Sequence, residues 1–352
     1  MQFLSRDLEG LLDETRAALG AFLGADPDDL AFVANATSGV NTVLRSLTLG
    51  RDDEVLVTDH AYGACRNAAE FVTRQAGARL VSVHIPFPLP SVEQIVGPVL
   101  AAVTRRTRLA LLDHVTSPTG LVFPIARLVA ALQIRGVDVL VDGAHAPGML
   151  PLDLRRLNAA YYTGNAHKWL CAPKGAAFLW VRRDRQDLVH PLTISHGFSD
   201  SRLDRSRFRL EFDWMGTIDP SAVLSIPAAL KFMEGRHPGG WPAVMSRNHA
   251  LAVTARRELC EALAISPPCP DDLLGSLASV PLPPGPDSVA RPRSGSDPLQ
   301  RALRESFAIE VPVITWPAPP QRLLRVSAQL YNTEDQFERL AHALTASLAS
   351  GE

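Results

Sequence analysis

Two residues give the clearest hint of chemistry in this sequence, Asp142 and Lys168, 26 positions apart. Asp142 follows a short β-branched apolar run, Val137 to Val141, broken only by Asp138. Such a run, ending in an acid and a glycine, fits a buried parallel strand that delivers a carboxylate to the carboxyl edge of a sheet, where α/β ligand sites lie. A second short strand, Ala160 to Thr163, is expected to break into Gly164, Asn165, Ala166, His167 and Lys168, so both strand ends present polar groups at one edge. Lysine is scarce: Lys168, Lys174 and Lys231 stand against 32 arginines. Lys231 falls in an exposed helical pattern and Lys174 in a Pro-Lys-Gly turn, whereas Lys168 alone follows a strand end, beside His167 and Trp169. Taken alone, a loop lysine serves a backbone hydrogen bond as readily as a reaction. An aspartate and a lysine aimed at one edge, however, suit pyridoxal phosphate: the lysine forms a Schiff base, and the carboxylate keeps the pyridine nitrogen protonated so that the ring accepts electrons.

The strings around these residues are specific. Asp142-Gly143-Ala144-His145 followed by Asn165-Ala166-His167-Lys168 resembles the signature of class V aminotransferase-fold enzymes. DGAHAPG, YYTGNAHKWLCAPKG and EFDWMGTIDP are similar to the isopenicillin N epimerase-like branch, and the likeness runs from about Leu4 to Leu344. The resemblance implies an α/β protein of PLP-dependent transferase fold type I, with a mostly parallel sheet in a large domain and a smaller α+β C-terminal domain. It implies pyridoxal 5'-phosphate as cofactor, no metal, an amino acid substrate, and a homodimer with shared active sites.

By that resemblance each candidate takes a role. Thr37 and Ser38, in the turn that opens a helix after Leu30 to Val33, become phosphate ligands. By themselves they read as an ordinary N-cap, although a helix start with free N–H groups is also an anion site. His60 matches the ring that stacks on the pyridine face. Tyr62 is an acid, a substrate contact or an aromatic that caps its loop. Ser117 occupies the position facing the ring oxygen, where related desulfurases carry asparagine. His145 bonds the ring oxygen or packs on the ring, and Asn165 and His167 bind phosphate beside Lys168. Gly216 and Thr217 reach the phosphate of the neighbouring subunit, with Trp214 close to the substrate; Met215 stands where near relatives carry threonine. Arg325, in LLRVSAQLYNTEDQF, clamps the substrate α-carboxylate through its planar fork.

The elements that must position these groups follow a βαβ rhythm. Helical spacing covers Ser5 to Leu23, the helix opened at Thr37 and Ser38, Ser91 to Val103 and Ala126 to Arg135; strands are expected at Glu54 to Thr58, Arg79 to His84, Leu109 to Asp113 and Phe178 to Val181. Residues 184 to 220 read as irregular, with the charges of SRLDRSRFRLE on a solvated loop. A helix from Ala222 to Glu234 and the HPGGWP hinge divide a large domain, 1–235, from a small one, 236–352. The small domain is expected to hold helices at Ala243 to Leu263, Leu299 to Phe307 and Glu334 to Leu348, strands at Glu310 to Thr315 and Leu323 to Ser327, and a mobile Pro/Gly/Ser connection from Pro281 to Pro298.

Bulk properties exclude several classes. A net charge of −2 gives no reason to expect nucleic acid or an acidic membrane as partner. No run approaches the ~18 apolar residues of a membrane span and the N-terminus is no signal peptide, so a cytoplasmic location is the default. Cys65, Cys171, Cys260 and Cys269 show no metal-ligand spacing, no GxGxxG follows a strand, and no internal repeat is present.

The resemblance favours epimerase-like or aminotransferase-like chemistry at the Cα of an amino acid, free or peptide-borne. A carbon–sulfur lyase of the hercynylcysteine sulfoxide lyase or cysteine desulfhydrase type is the alternative, with Tyr62 as proton donor. A persulfide-forming desulfurase fits less well: Phe307 to Leu324 holds no cysteine, which leaves Cys269 as a remote candidate. Relatives carry an NHGSFG-like N-terminal segment before the point where this sequence starts. Its lack is expected to affect substrate binding more than cofactor binding, and it motivates a third reading, a non-catalytic relative.

Overall fold

The computed structural model describes residues 2–285 and 297–349. Most of the expected 281–298 connection lies outside the described residues. Two compact units are present, one of residues 1–84, 96–115 and 124–241, the other of residues 85–95, 116–123 and 242–352.

The first unit is built on a seven-stranded sheet: β1 (Leu30–Val33), β2 (Glu54–Thr58), β3 (Arg79–Val83), β4 (Thr107–Asp113), β5 (Asp138–Asp142), β6 (Tyr161–Asn165) and β7 (Ala177–Val181). Their order is β1-β7-β6-β5-β4-β2-β3, with β3, β2, β4, β5 and β6 mutually parallel and β7 antiparallel to both its neighbours. The central strands are buried at nearly every position, as expected for a sheet covered on both faces, which is why their sequences run apolar without alternation. Each β-branched run ends at the carboxyl edge, and there the sequence turns polar: Asp59 and His60 after β2, Asp113 and His114 at β4, Asp142 at β5, Asn165 at β6.

Helices α1 (Leu8–Leu23), α2 (Ala36–Ser46), α3 (Gly63–Ala76), α4 (Glu93–Ala101) and α5 (Ile125–Gln133) follow the expected helical spacing or connect the strands; α6 (Leu154–Leu157) is a single turn. The stretch from 184 to 220 departs from the irregular reading. It contains α7 (Arg207–Asp213), in which Phe208, Arg209, Leu210, Glu211 and Phe212 are all buried. Its charges are paired rather than solvated: Arg209 meets Asp28 at 2.6 Å and Asp213 at 3.2 Å, and His190 meets Glu211 at 2.7 Å. Charge alternation conceals a buried helix when the partners come from elsewhere in the chain. The helix expected from Ala222 to Glu234 is broken at Ser225 into Ser221–Leu224 and Ile226–Glu234.

The second unit carries a three-stranded antiparallel sheet in the order β8 (Leu277–Pro281), β10 (Arg322–Ser327), β9 (Val313–Thr315). β8 has no counterpart among the sequence expectations; Pro281 and the following prolines mask it as a loop.

Candidate active site

β5 and β6 end side by side, and the loops after them bring Lys168 and His145 together, with Nζ and Nε2 3.0 Å apart. The Trp169 indole, which can only donate, points its N–H at His145 Nδ1 at 3.4 Å, so the imidazole is held between the indole and the Lys168 amine. Gly143 makes room for the Tyr162 ring at the end of β5, since a Cβ there would strike it.

Asp142 is 3% exposed and accepts the Ala144 amide at 3.0 Å and the Cys65 thiol at 3.1 Å. Burial pushes its carboxyl up, while Cys65, the Ala144 amide and the Lys168 charge pull it back. A buried carboxylate whose hydrogen-bond partners among the described residues are a thiol and an amide is suited to receive a cationic N–H. The phosphate end is built from α2. Asn35 caps it, accepting the Ser38 amide and hydroxyl at 2.8 and 3.1 Å, and Asn165 accepts the Ala36 amide at 2.8 Å. The Thr37 amide and the half-buried Thr37 and Ser38 hydroxyls stand at the same helix start. Gly39 sets the distance, since a Cβ there would run into Thr163 of β6. These residues fit pyridoxal phosphate: an anion cradle, a lysine amine and a buried acid converge on one sheet edge.

Other candidates are placed differently. His60 lies in the same edge loop but is wholly buried, 3.9 Å from Asp59. Tyr62 is 46% exposed and precedes α3. His167 bonds the Ala176 carbonyl through Nδ1 at 3.0 Å, and burial pushes it down. Trp214 caps the end of α7, and Thr217 is exposed beyond it; Trp214 lines a cavity of about 230 Å³ with Leu8, Leu12 and His196. Ser117 and Arg325 belong to the second unit, where Arg325 Nη1 donates to the Ser117 carbonyl and, at 3.1 Å, to its hydroxyl.

Four groups at the edge escaped the sequence reading: Asp113, Cys65, His114 and Tyr162. Asp113 closes β4 opposite Asp142 in register and accepts the Tyr62 amide at 3.3 Å. His114 Nδ1 and the Tyr162 hydroxyl are 2.9 Å apart; burial pushes the histidine down to about 4 and the phenol well up. The signal was available, because a strand expected to end at Asp113 beside one ending at Asp142 implies a pair of carboxylates.

Residues 2–277 match the Aminotransferase class-V family. The chain belongs to the class V aminotransferase family. This member is 38% identical to isopenicillin N epimerase of Amycolatopsis lactamdurans, over 98% of this chain and 87% of that one. It is 32% identical to putative L-cysteine desulfhydrase 1 of Oryza sativa subsp. japonica, over 99% and 77%. Among solved structures it resembles a C-DES variant with glycine covalently linked to the PLP cofactor, with a TM-score of 0.75 and 22% identity over 96% of this chain and 86% of that one. It also resembles the cysteine desulfurase CsdA of Escherichia coli, with a TM-score of 0.74 and 21% identity over 99% and 87%. The fold is therefore that of PLP-dependent class V enzymes, the protein is an enzyme, and its cofactor is pyridoxal phosphate. Among the described residues no helix is long and apolar enough to cross a membrane.

Proposed function

We propose that this class V enzyme acts at the Cα of an amino acid, free or peptide-borne, in an epimerase-like or aminotransferase-like reaction. The observation that carries the reading is Lys168 Nζ held 3.0 Å from His145 at an edge where its charge reaches the buried Asp142. Likeness to isopenicillin N epimerases over nearly the whole chain supports it. When bound, pyridoxal phosphate supplies an electron sink for the charge left at Cα. Asp142 would pair with the ring nitrogen; Thr37, Ser38, Asn165 and His167 would hold the phosphate; His145 would orient the ring oxygen and the Lys168 amine. Lys168 moves the Cα proton, and Tyr62 is the second acid.

Arg325 clamps the substrate carboxylate. Its Nη1 is occupied by Ser117, and among the described residues its buried Nε has no hydrogen-bond partner, which leaves that N–H for an anion. A homodimer with shared sites is part of the proposal. Thr217 reaches the second subunit's phosphate, and exposed Leu192, Ile194, Phe198, Leu203 and Ile218 on the approach to it supply apolar surface for a second copy. We place the protein in the cytoplasm.

A carbon–sulfur lyase is the second reading, favoured by likeness to cysteine desulfhydrases over 99% of the chain. Persulfide chemistry at Cys269 fits poorly, because that thiol is 5% exposed and burial pushes it up to about 11. The deciding experiment incubates the holoenzyme with a panel of amino acids and short peptides in deuterated water. Deuterium at Cα with inverted configuration, or a keto acid, supports the first reading. Pyruvate with released sulfide replaces it with the second.

A further inference from the structure

Asp113 has no part in the roles above, yet it shares the edge with Asp142. β4 and β5 are parallel and in register, and each ends on its aspartate, both 3% exposed. One carboxylate suffices for a pyridine nitrogen, and a second buried beside it brings like-charge repulsion unless it does something else. What Asp113 does is accept the Tyr62 amide at 3.3 Å. That amide stands at the junction of two pieces of the site. Before it lies the loop with wholly buried His60; after it begins α3, whose Cys65 thiol donates to Asp142 at 3.1 Å.

We propose that Asp113 is a positioning residue, which ties the loop bearing His60 and Tyr62, and the helix bearing Cys65, to the strand edge that presents Asp142. The proposal rests on Asp142 being the carboxylate that meets the cofactor ring. The groups whose charge acts on Asp113 are Asp142 and Lys168, and Cys65 feels both aspartates. Burial first, and then the Asp142 charge, push Asp113 well up, so of the two acids it is the one that holds its proton more readily. An acid already engaged by the Tyr62 amide anchors the loop and leaves the ring nitrogen to Asp142.

The test compares full-length wild type with Asp113→Leu, which fills the space but cannot accept a hydrogen bond, and with Asp113→Asn, which keeps an accepting oxygen and no charge. Amide exchange over residues 59–66 is read first on the cofactor-free protein, so this arm does not depend on any reading of the cofactor site. Pyridoxal phosphate is then added and its visible band titrated with pH. Asp113→Leu is expected to speed exchange over 59–66 and weaken cofactor binding, each about tenfold. Asp113→Asn is expected to stay within about threefold of wild type in both and to leave the pH midpoint of the band unmoved. Wild-type exchange in a folded Asp113→Leu protein overturns the anchor. An Asp113→Asn midpoint displaced by about one unit shows the Asp113 charge acting on the cofactor and overturns a purely positioning role, and that variant decides the case alone if Asp113→Leu does not fold. Failure of the Proposed function is distinguishable, since borohydride trapping of the cofactor then leaves Lys168 unmodified in wild type.

Discussion

Two clusters of buried charge lie in the first unit, and they are built on opposite rules. Between α1 and α7, wholly buried Arg16 meets Asp13 at 3.0 Å and also Asp213, while Arg209 meets Asp28 at 2.6 Å and Arg205 meets Asp13 at 2.6 Å. This network, not the Lys168 edge, lines a cavity of about 620 Å³. At the strand edge, by contrast, Asp113 and Asp142 stand beside each other with Cys65, and Lys168 is the cation acting on them. A network whose charges are matched inside the chain is structural. A cluster with surplus acid is set to take its missing cation from a ligand.

The comparison breaks most sharply at its two basic residues. Lys168→Ala is expected to lower turnover by about 10³-fold or more while the thermal midpoint of the cofactor-free protein is kept, because an exchanged amine removes chemistry and little packing. Arg16→Met is expected to act the other way. It leaves Asp213 and Asp13 without a wholly buried partner and costs about 3–5 kcal/mol of stability, read by urea unfolding of the cofactor-free protein. If Arg16→Met unfolds like wild type but has lost turnover, the two clusters have been assigned the wrong way round.

Asp142→Asn sharpens the same contrast with a smaller effect. It removes one of two neighbouring buried acids, so the cofactor-free protein is expected to be at least as stable as wild type, while turnover falls by about 10²-fold. A loss of stability comparable to that of Arg16→Met would show that the edge acids hold the fold together after all.

Most of the edge was legible because apolar runs ending in polar residues locate the strand ends, and the DGAH and NAHK strings lie there. α7 was not legible: its burial depends on Asp13 and Asp28, some 180 to 200 positions away in sequence, and local charge alternation cannot announce such partners. β8 was hidden by the prolines that end it, and the role of Cys65 by distance, since the helix holding it meets β5 only through the folded sheet. Asp113 was visible as a strand end but not as a partner of Tyr62, because register between β4 and β5 has to be known first.

The finest difference between the clusters lies in the sign of their pH dependence. Burial pushes Asp13 up, but its hydrogen bond to Arg205 and the charges of Arg209, Arg205 and Arg16 outweigh this and hold it below its ordinary value of 3.8. Its contribution to stability is therefore complete above 3.8 and is lost as pH falls through the lower folded value. Asp113 is raised above 3.8 by burial and by Asp142, so the folded protein binds the extra proton and its contribution falls as pH rises from 3.8 through the raised value. His114, pushed down to about 4 from 6.5, adds a rise in stability with pH between those values, common to wild type and to both variants. In urea unfolding of cofactor-free proteins, the gap between wild type and Asp13→Asn is expected to close as pH falls below 3.8. Asp113→Asn is expected to gain on wild type as pH climbs from 3.8 through the raised value and to gain nothing more above it. Two parallel difference curves would abolish the distinction, because surplus acid and matched acid would then respond to protons alike.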